Sequence, residues 1–346
     1  MNSYALSMML SSLSLGTIIT LTSNHWFLAW IGLEVNTLAI IPLMSKTHHP
    51  RATEATTKYF LIQSMASALL LFATMLNAWF TGEWTIINMK TLIPMLLLMA
   101  ALLIKLAIAP FHLWLPDVIQ GLTLMTCLIL LTWQKLAPMA LLIQAAPMMN
   151  STLLIFLGLL SLFVGGWGGL NQLQLRKIMA YSSIAHLGWM IIVLSYLPNL
   201  TLLNLLIYLL MTTSMFLMMF NMLSTDINKM ASSWMKNLSI TSMMTIILMS
   251  LAGLPPMTGF LPKWLIIEEI VKQNLITFAT IMIITSLLSL FFYLRLSYVV
   301  SLTTPPTPFN SNLLYRFKTK SNFILSLTTI ISIMLLPITP SILSMI

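Results

Sequence analysis

Charged side chains are scarce in this sequence. Lysine, arginine, aspartate and glutamate make up only 7% of the 346 residues, whereas about 25% is typical of soluble domains. Apolar residues account for 59% of the chain. This composition excludes a soluble globular protein and indicates a polytopic membrane protein. The apolar runs are long and continuous, which also excludes a porin-like barrel, whose strands alternate apolar and polar side chains over about 10 residues.

Cysteine is nearly absent, and the basic residues form no cluster. The single cysteine, Cys127, excludes a disulfide framework, a thiolate zinc site and an iron–sulfur site within this chain. The formal net charge of +9 comes from basic residues scattered between apolar runs, which indicates membrane topology rather than nucleic-acid binding. The N-terminus has no basic start and no small-residue cleavage site, so we expect a first transmembrane helix there and not a cleaved targeting peptide.

The lengths of the apolar runs predict an all-α protein with about eleven transmembrane helices. A span requires about 20 mostly apolar residues. The fourth and ninth segments are too long for one straight crossing and contain prolines, so we predict that both are discontinuous. The predicted segments are 3–21, 25–44, 56–80, 91–121, 123–145, 151–170, 177–197, 200–224, 239–270, 275–300 and 322–344.

The two broken segments are five spans apart, which predicts an internal inverted repeat. A unit of five crossings has an odd number of spans, so the second unit lies upside down relative to the first. Paired breaks in inverted halves indicate an ion pathway where the repeats meet. The prediction is one membrane domain over 1–346, with a first repeat over 1–145, a second, inverted repeat over 151–300, and an additional C-terminal helix over 322–344.

The charges between the segments predict the orientation of the chain. The connections after the odd-numbered segments hold little besides Lys90, Lys272, Glu83, Glu268 and Glu269. Basic residues concentrate on the inner side of a membrane, so we expect the N-terminus inside and the C-terminus outside. The connections after segments two, six, eight and ten hold Lys46, Arg51, Arg176, Lys177, Lys229, Lys236, Arg316, Lys318 and Lys320.

Ionisable residues lie inside the predicted spans. Glu34, Lys105, Lys135 and His186 are near the centres of their segments, and Lys263 follows the break in the ninth. A lysine at the centre of a span, roughly 15 Å from either face at 1.5 Å per residue, cannot reach bulk water and must face a partner or a hydrated cavity. Glu34 is the only centrally placed carboxylate, so we expect it to pair with Lys105.

The number of these residues favours a proton or cation pathway over a purely structural network. One structural pair between Glu34 and Lys105 would leave Lys135, Lys263 and His186 unexplained. A buried lysine can take up or release a proton near neutral pH, depending on where its counter-charge lies, and histidine titrates there unaided.

The proline breaks support the same interpretation. Pro110, Pro255 and Pro256 free backbone carbonyls at membrane depth, which is tolerated only where water or buried groups satisfy them. His112 follows the first break by two residues. We therefore expect hydrated backbone beside the buried lysines.

Four stretches resemble the antiporter-like membrane subunits of respiratory complex I, the proton-pumping NADH:ubiquinone oxidoreductase. They are "GLEVNT", "KLAIAPFHLWLPD", "RKIMAYSSIAHLGWM" and "LAGLPPMTGFLPKW". These motifs occur in the family's order and, together with Lys135, span most of the chain. The length, the eleven helices and the Met- and Thr-rich composition are similar to the shorter, animal mitochondrial members, whereas members elsewhere carry fourteen helices.

The resemblance implies a role for each buried residue. Glu34 and Lys105 would form the paired site of the first half-channel, and Lys135 would be the central connecting lysine. Lys263 would be the terminal site of the second half-channel. His112 and His186 match polar positions along the connecting axis, where they would relay protons.

The resemblance also implies the setting. The chain would be a translocase subunit with no cofactor-binding, metal or redox site of its own, while partner subunits hold NADH, FMN, iron–sulfur clusters and ubiquinone. Its partners would be other membrane-arm subunits, including neighbouring antiporter-like subunits. Membrane lipids, cardiolipin among them, would also bind, and nucleic acid would not. It would lie in the mitochondrial inner membrane with its N-terminus in the matrix and its C-terminus in the intermembrane space. Two alternatives stay open: a stand-alone cation/proton antiporter subunit and a purely structural membrane-arm subunit.

Overall fold

The computed structural model describes residues 3–46, 49–89, 91–235, 237–302 and 323–341. Within these ranges the chain is almost entirely α-helical and contains no β-strand. The helices are α1 (Ser3–Thr22), α2 (Trp26–Met44), α3 (Pro50–Thr81), α4 (Leu92–Leu106), α5 (Trp114–Gly121), α6 (Leu124–Leu131), α7 (Trp133–Ala145), α8 (Ser151–Gly169), α9 (Leu175–Leu194), α10 (Pro198–Met222), α11 (Ile227–Ala231), α12 (Leu238–Ala252), α13 (Phe260–Lys272), α14 (Ile276–Leu302) and α15 (Phe323–Met334).

Eight stretches of the described chain are long and apolar enough to cross a membrane. They correspond to α1, α2, α3, α6 with α7, α8, α9, α10 and α14. The other three predicted spans contain shorter apolar helices, Leu92–Leu106, Ser239–Ala252 and Phe323–Met334. The polytopic, all-helical fold class predicted from composition is therefore confirmed.

Both long segments are interrupted where the sequence places proline. The segment predicted over 91–121 ends one helix at Leu106 and begins the next at Trp114. The segment predicted over 239–270 ends at Ala252 and resumes at Phe260. Proline lacks the N–H that continues a helix and its ring clashes with the preceding turn, which accounts for both interruptions.

The third helix begins six residues earlier than the predicted start at residue 56, at Pro50. Proline suits the first position of a helix because no intrahelical bond is lost there. The His49 ring also caps this end, since its Nδ1 accepts the backbone N–H of Arg51 at 3.2 Å. Arg51 therefore lies in the first turn of α3, and its assignment to the preceding connection was wrong.

The segment predicted as one helix over 123–145 is interrupted at Thr132, between α6 and α7. The Thr132 hydroxyl donates to the carbonyl of Leu128 at 2.7 Å, and the Thr132 backbone N–H donates to the same oxygen at 3.0 Å. Such a side-chain bond to the preceding turn competes with the helical ladder and bends helices. Hydropathy alone does not reveal this local effect.

Some residues of the last predicted segment and of the connections lie outside the described residues. The last segment, predicted over 322–344, is represented by α15 and a short 3₁₀ turn at Leu336–Ile338, while residues 322 and 342–344 are outside. The basic residues that lie outside are Lys90, Lys236, Arg316, Lys318 and Lys320.

The helices form two compact units, Met1–Ser161 and Leu162–Ile346. In the first unit, α3 packs against α2, α4 and α5, while α7 packs against α1, α2 and α4. In the second unit, α10 packs against α9, α12, α13 and α15. Each broken helix therefore packs against an unbroken helix of its own unit.

Candidate functional site

Lys105 lies at the end of the first half of the broken helix in unit Met1–Ser161. It belongs to the last turn of α4, and Ala107 ends that helix in the left-handed conformation, with φ of 60°. Only 7% of Lys105 is exposed, and its Nζ has no hydrogen-bond partner among the described residues. A cation in the last turn interacts favourably with the helix dipole, but a buried ammonium still requires a hydrogen-bond acceptor.

The backbone carbonyls freed by this break are bonded by residues that follow it. The carbonyl of Ile104 accepts the indole N–H of Trp114 at 3.2 Å and the backbone N–H of Ala107 at 3.1 Å. The carbonyl of Leu103 accepts the N–H of Ile108 at 3.1 Å. The end of α4 is thus held by α5, which fixes the position of Lys105.

Glu34 acts on Lys105 through space. Its carboxylate interacts electrostatically with the ammonium, but the described residues contain no salt bridge between the two. Instead, Oε2 of Glu34 accepts the hydroxyl of Thr37 at 3.2 Å, and the same hydroxyl donates to the Glu34 backbone carbonyl at 2.9 Å. The direct Glu34–Lys105 pair expected from the sequence is therefore not formed here, because the carboxylate bonds within its own helix.

Lys135 shares a buried cavity with Lys105. It lies near the start of α7 and is 5% exposed. The cavity has a volume of about 20 Å³, and about 10–15 Å³ is enough for one water molecule. The polar residues of its lining are Asn36, Thr37, Tyr59, Gln63, Lys105, Gln134 and Lys135.

The lining also contains three amide side chains that are not among the ionisable residues predicted from the sequence. They are Asn36, Gln63 and Gln134. Their positions in the sequence carry a signal, because Asn36 follows Glu34 by two residues and Gln134 directly precedes Lys135. A neutral amide in an apolar span, next to an ionisable residue, marks a polar lining.

A wider, charged cleft lies further along the same helices. It has a volume of about 250 Å³ and is lined by residues of α3 and α5. Within it, Nζ of Lys58 and Oδ2 of Asp117 are 3.5 Å apart. Both side chains are more than half exposed, so their ion pair contributes little to stability. The ring centroids of Tyr59 and Trp114 are 5.9 Å apart, and both residues line the smaller cavity. The helices α3 and α5 therefore line both the charged cleft and the cavity of the buried lysines.

Lys263 caps the broken helix of unit Leu162–Ile346. It projects from α13, and its Nζ donates to the carbonyl of Ala252, the last residue of α12, at 2.8 Å. Gly253 follows with φ of +84°, and a Cβ there would lie 2.8 Å from Nζ of Lys263. The left-handed backbone favours glycine here, and a Cβ would also crowd the lysine side chain.

His186 and Lys263 line one small cavity in this unit. Its volume is about 10 Å³, and Asn204 and Tyr208 also line it. The ring centroids of His186 and Tyr208 are 5.5 Å apart. Nδ2 of Asn204 has no hydrogen-bond partner among the described residues. Here too an ammonium, an aromatic hydroxyl and an amide meet beside a break.

His112 is placed differently from the other predicted site residues. It lies between α4 and α5, is half-buried, and its buried Nδ1 has no hydrogen-bond partner in the described part of the chain. It is not part of the lining shared by Lys105 and Lys135. The structure therefore brings Lys105 and Lys135 together, and His186 and Lys263 together, but does not bring His112 to the first cavity.

The cysteine and the acidic residues offer no metal site in the described ranges. No group of three or more His, Cys, Asp or Glu side chains that could hold a metal ion occurs there. Cys127 is buried, and its Sγ donates to the carbonyl of Ile119 at 3.5 Å. The thiol thus packs between α6 and α5.

Comparisons with known proteins agree with this arrangement. A family model described as "NADH:quinone oxidoreductase/Mrp antiporter, TM" matches residues 23–289, and one described as "NADH dehydrogenase subunit 2 C-terminus" matches residues 290–343. The NADH-ubiquinone oxidoreductase chain 2 of Salmo salar is 55% identical over 343 residues, which cover 99% of this chain and 98% of the relative.

Two solved structures are similar in fold. A chain of respiratory complex I from Thermus thermophilus aligns with a TM-score of 0.84 and 25% identity, covering 97% of this chain and 80% of that one. A chain of the Mrp complex from a Dietzia species aligns with a TM-score of 0.76 and 18% identity, covering 86% of this chain and 60% of that one. The second likeness is one of fold alone.

Proposed function

This chain belongs to the NADH:quinone oxidoreductase/Mrp antiporter family and is related to NADH-ubiquinone oxidoreductase chain 2. From that premise we propose that it is a proton-translocating membrane-arm subunit of respiratory complex I. It moves protons along buried lysine, glutamate and histidine side chains and water. Redox chemistry in other subunits drives this movement. The chain is thus part of a translocase enzyme of the respiratory chain.

The observation that carries this proposal is the cavity shared by Lys105 and Lys135. Two buried ammonium groups on one cavity repel each other, so protonation of one disfavours protonation of the other. The Glu34 carboxylate acts on Lys105 from α2. A change in the position or charge of that carboxylate would therefore shift a proton between the two lysines.

We assign the second step to Lys263 and His186. Lys263 holds the freed carbonyl of Ala252 through its ammonium, and His186 lines the same cavity. Loss of the Lys263 proton to a base in this cavity would weaken that bond, so proton release and the helix break are coupled. His112 stays a candidate relay residue beside the first break.

The finer architecture is also a proposal. We propose eleven spans in one membrane domain, with an inverted pair of five-helix repeats over 1–145 and 151–300 and an additional helix over 322–344. The two breaks support it, because each places a lysine ammonium at the C-terminal end of a helix: Lys105 within α4, and Lys263 at the end of α12.

We propose the mitochondrial inner membrane as the location, with the N-terminus in the matrix and the C-terminus in the intermembrane space. Lysine and arginine prefer the inner side of a membrane. Among the described basic residues, Lys46, Arg51, Arg176, Lys177 and Lys229 all lie in or beside the connections assigned to the matrix.

This orientation predicts the outcome of cysteine labelling. Cys127 is buried, so a Lys229→Cys substitution adds an accessible thiol to this chain. We expect a membrane-impermeant maleimide to leave that thiol unlabelled in mitochondria with a permeabilised outer membrane, and to label it in inverted inner-membrane vesicles. Lys272→Cys is the matched control at an exposed position and should give the opposite result. Labelling of Lys229→Cys from the intermembrane space would contradict the assignment.

The partners we propose are the other membrane-arm subunits, including neighbouring antiporter-like subunits, together with membrane lipids such as cardiolipin. NADH, FMN, iron–sulfur clusters and ubiquinone would be held by partner subunits. The stand-alone antiporter alternative rests on the fold likeness to the Mrp complex. The match of residues 290–343 to the subunit 2 C-terminus favours complex I.

A native gel distinguishes these alternatives. We expect the chain, detected by an antibody in digitonin-solubilised inner membranes, to migrate with the band that reduces a tetrazolium dye with NADH. A stand-alone antiporter would migrate apart from that activity. Migration with the activity, combined with normal proton pumping in a Lys105→Met variant, would support the purely structural alternative instead.

A further inference from the structure

Asn36 brings to the lining of the first cavity a side-chain amide whose oxygen and nitrogen are both buried and both without a hydrogen-bond partner among the described residues. It is 2% exposed, and neither Oδ1 nor Nδ2 has a hydrogen-bond partner among the described residues. Buried amides in proteins are almost always hydrogen-bonded to protein or to ordered water. The amide of Asn36 is therefore a donor and an acceptor without a protein partner, on a residue that lines the cavity.

The position of this amide is fixed from two sides. On one side it rests on α1, because a Cβ at Gly16 would lie only 2.4 Å from Oδ1 of Asn36. On the other side, Nε2 of Gln134 donates to the backbone carbonyl of Asn36 at 3.3 Å. Gln134 directly precedes Lys135, so this bond links the helix of Lys135 to that of Asn36. The amide thus has a defined place beside the cavity.

The size of the cavity identifies the class of ligand. Its volume of about 20 Å³ exceeds the roughly 10–15 Å³ that one water molecule needs, and a buried water requires two to four polar partners. Nζ of Lys105 is a second buried group without a partner on the same lining. An ammonium donates hydrogen bonds, while an amide both donates and accepts. Together they suit a water molecule.

We propose that Asn36 binds one internal water molecule that bridges Lys105 and Lys135, and that it is a positioning residue for proton transfer between them. This inference rests on the proposed function. In the transfer, an N–H bond of the Lys105 ammonium breaks and its proton passes to the water oxygen. The water releases another proton to the neutral amine of Lys135, where a new N–H bond forms. The water is regenerated, and no electrons are exchanged.

An amide is suited to this task because it stays uncharged throughout. It orients the water by donating from Nδ2 or accepting at Oδ1, and it does not retain the proton as a carboxylate would. Glu34, on the same helix, instead bonds to Thr37. Asn36 therefore directs the proton, while Glu34 sets the electrostatic preference for Lys105.

The test compares three variants in the assembled complex. Asn36→Leu has a similar size and no hydrogen-bonding group, while Asn36→Ser keeps a hydroxyl that both donates and accepts. Thr20→Val is the matched control, because Thr20 is fully buried and contacts Gly32 where α1 meets α2, outside the cavity. The measurements are coupled NADH:ubiquinone turnover in sealed vesicles and its solvent deuterium isotope effect.

We expect Asn36→Leu to lower turnover roughly tenfold, the worth of about one buried hydrogen bond, and to raise the isotope effect because proton transfer becomes limiting. Asn36→Ser should retain most of the turnover, and Thr20→Val should match the unmodified chain. An assembled Asn36→Leu complex with unchanged turnover and isotope effect would overturn the proposal. If only Lys105→Met, measured in parallel, slows turnover, the proposed function stands and the role of Asn36 fails. If neither substitution has an effect, the proposed function itself fails.

A density map covers the case in which Asn36→Leu does not assemble. At high resolution, the unmodified complex should show a water peak within hydrogen-bonding distance of the Asn36 amide and of Nζ of Lys105. An empty cavity, or a side chain filling it, would overturn the proposal.

Discussion

Lys263→Met is expected to destabilise this subunit and to stop coupled turnover. The substitution removes the hydrogen bond from Nζ of Lys263 to the carbonyl of Ala252. That carbonyl ends α12 and has no partner within the helix, and Ala252 is 3% exposed. Leaving a buried carbonyl unsatisfied costs about 1–3 kcal/mol. The amount of assembled complex on a native gel and its NADH:ubiquinone turnover report the two effects.

Lys263→Arg separates the capping role from the proton-transfer role. A guanidinium can still donate to the Ala252 carbonyl, but it does not release its proton in proteins. Assembly should therefore recover while coupled turnover stays low. Recovery of both assembly and coupled turnover in Lys263→Arg would mean that Lys263 serves only as a cap. If neither Lys263→Met nor Lys263→Arg assembles, the loss of assembly comes from packing around Gly253. That result would contradict the separation of the capping role from the proton-transfer role.

Lys105→Met should lower coupled turnover by at least about tenfold, since positioned proton-transfer groups contribute roughly 10²–10⁴-fold. Assembly should be retained, because Nζ of Lys105 has no hydrogen-bond partner among the described residues and methionine fits the buried stem. Removing a buried ammonium also removes its desolvation cost. NADH:ubiquinone turnover of the assembled complex measures the effect.

Lys58→Met is the matched control for this substitution. Lys58 is a lysine of the same unit, but its side chain is 54% exposed and pairs with Asp117 at the surface of the charged cleft. Exposed ion pairs are worth at most about 1 kcal/mol, so turnover and assembly should change little. Equal losses in both variants would show that removal of any positive charge in this unit is harmful, and the specific role of Lys105 would be withdrawn.

The ionisable residues could be found from the sequence because a charge stands out in an apolar run. Lys105 and Pro110 together also predicted the break after α4, since proline removes a helical donor irrespective of tertiary packing. Buried water near Lys105, Lys135 and His186 was expected from the sequence, but the separation of His186 into a second cavity and the lining of the first could not be predicted. The lining of the first cavity depends on how α2, α3, α4 and α7 pack, and hydropathy does not specify which faces of these helices meet.

Local hydrogen bonds account for the other differences. The sequence predicted that Glu34 pairs with Lys105, from their shared depth and opposite charges, but the carboxylate bonds to the Thr37 hydroxyl, one turn along α2. The interruption at Thr132 coincides with a hydroxyl that bonds to the preceding turn. The sequence places Asn36 two residues after Glu34, but the missing hydrogen-bond partners of its amide are visible only in the structure.

The proton-to-electron ratio of the Lys105→Met complex tests the central claim most directly. The assembled complex is reconstituted into sealed vesicles, and the protons moved per NADH oxidised are measured beside the unmodified and Lys58→Met complexes. If protons pass through the cavity shared by Lys105 and Lys135, the ratio falls in Lys105→Met and is unchanged in Lys58→Met. A fully assembled Lys105→Met complex that moves as many protons per electron as the unmodified one would contradict the claim.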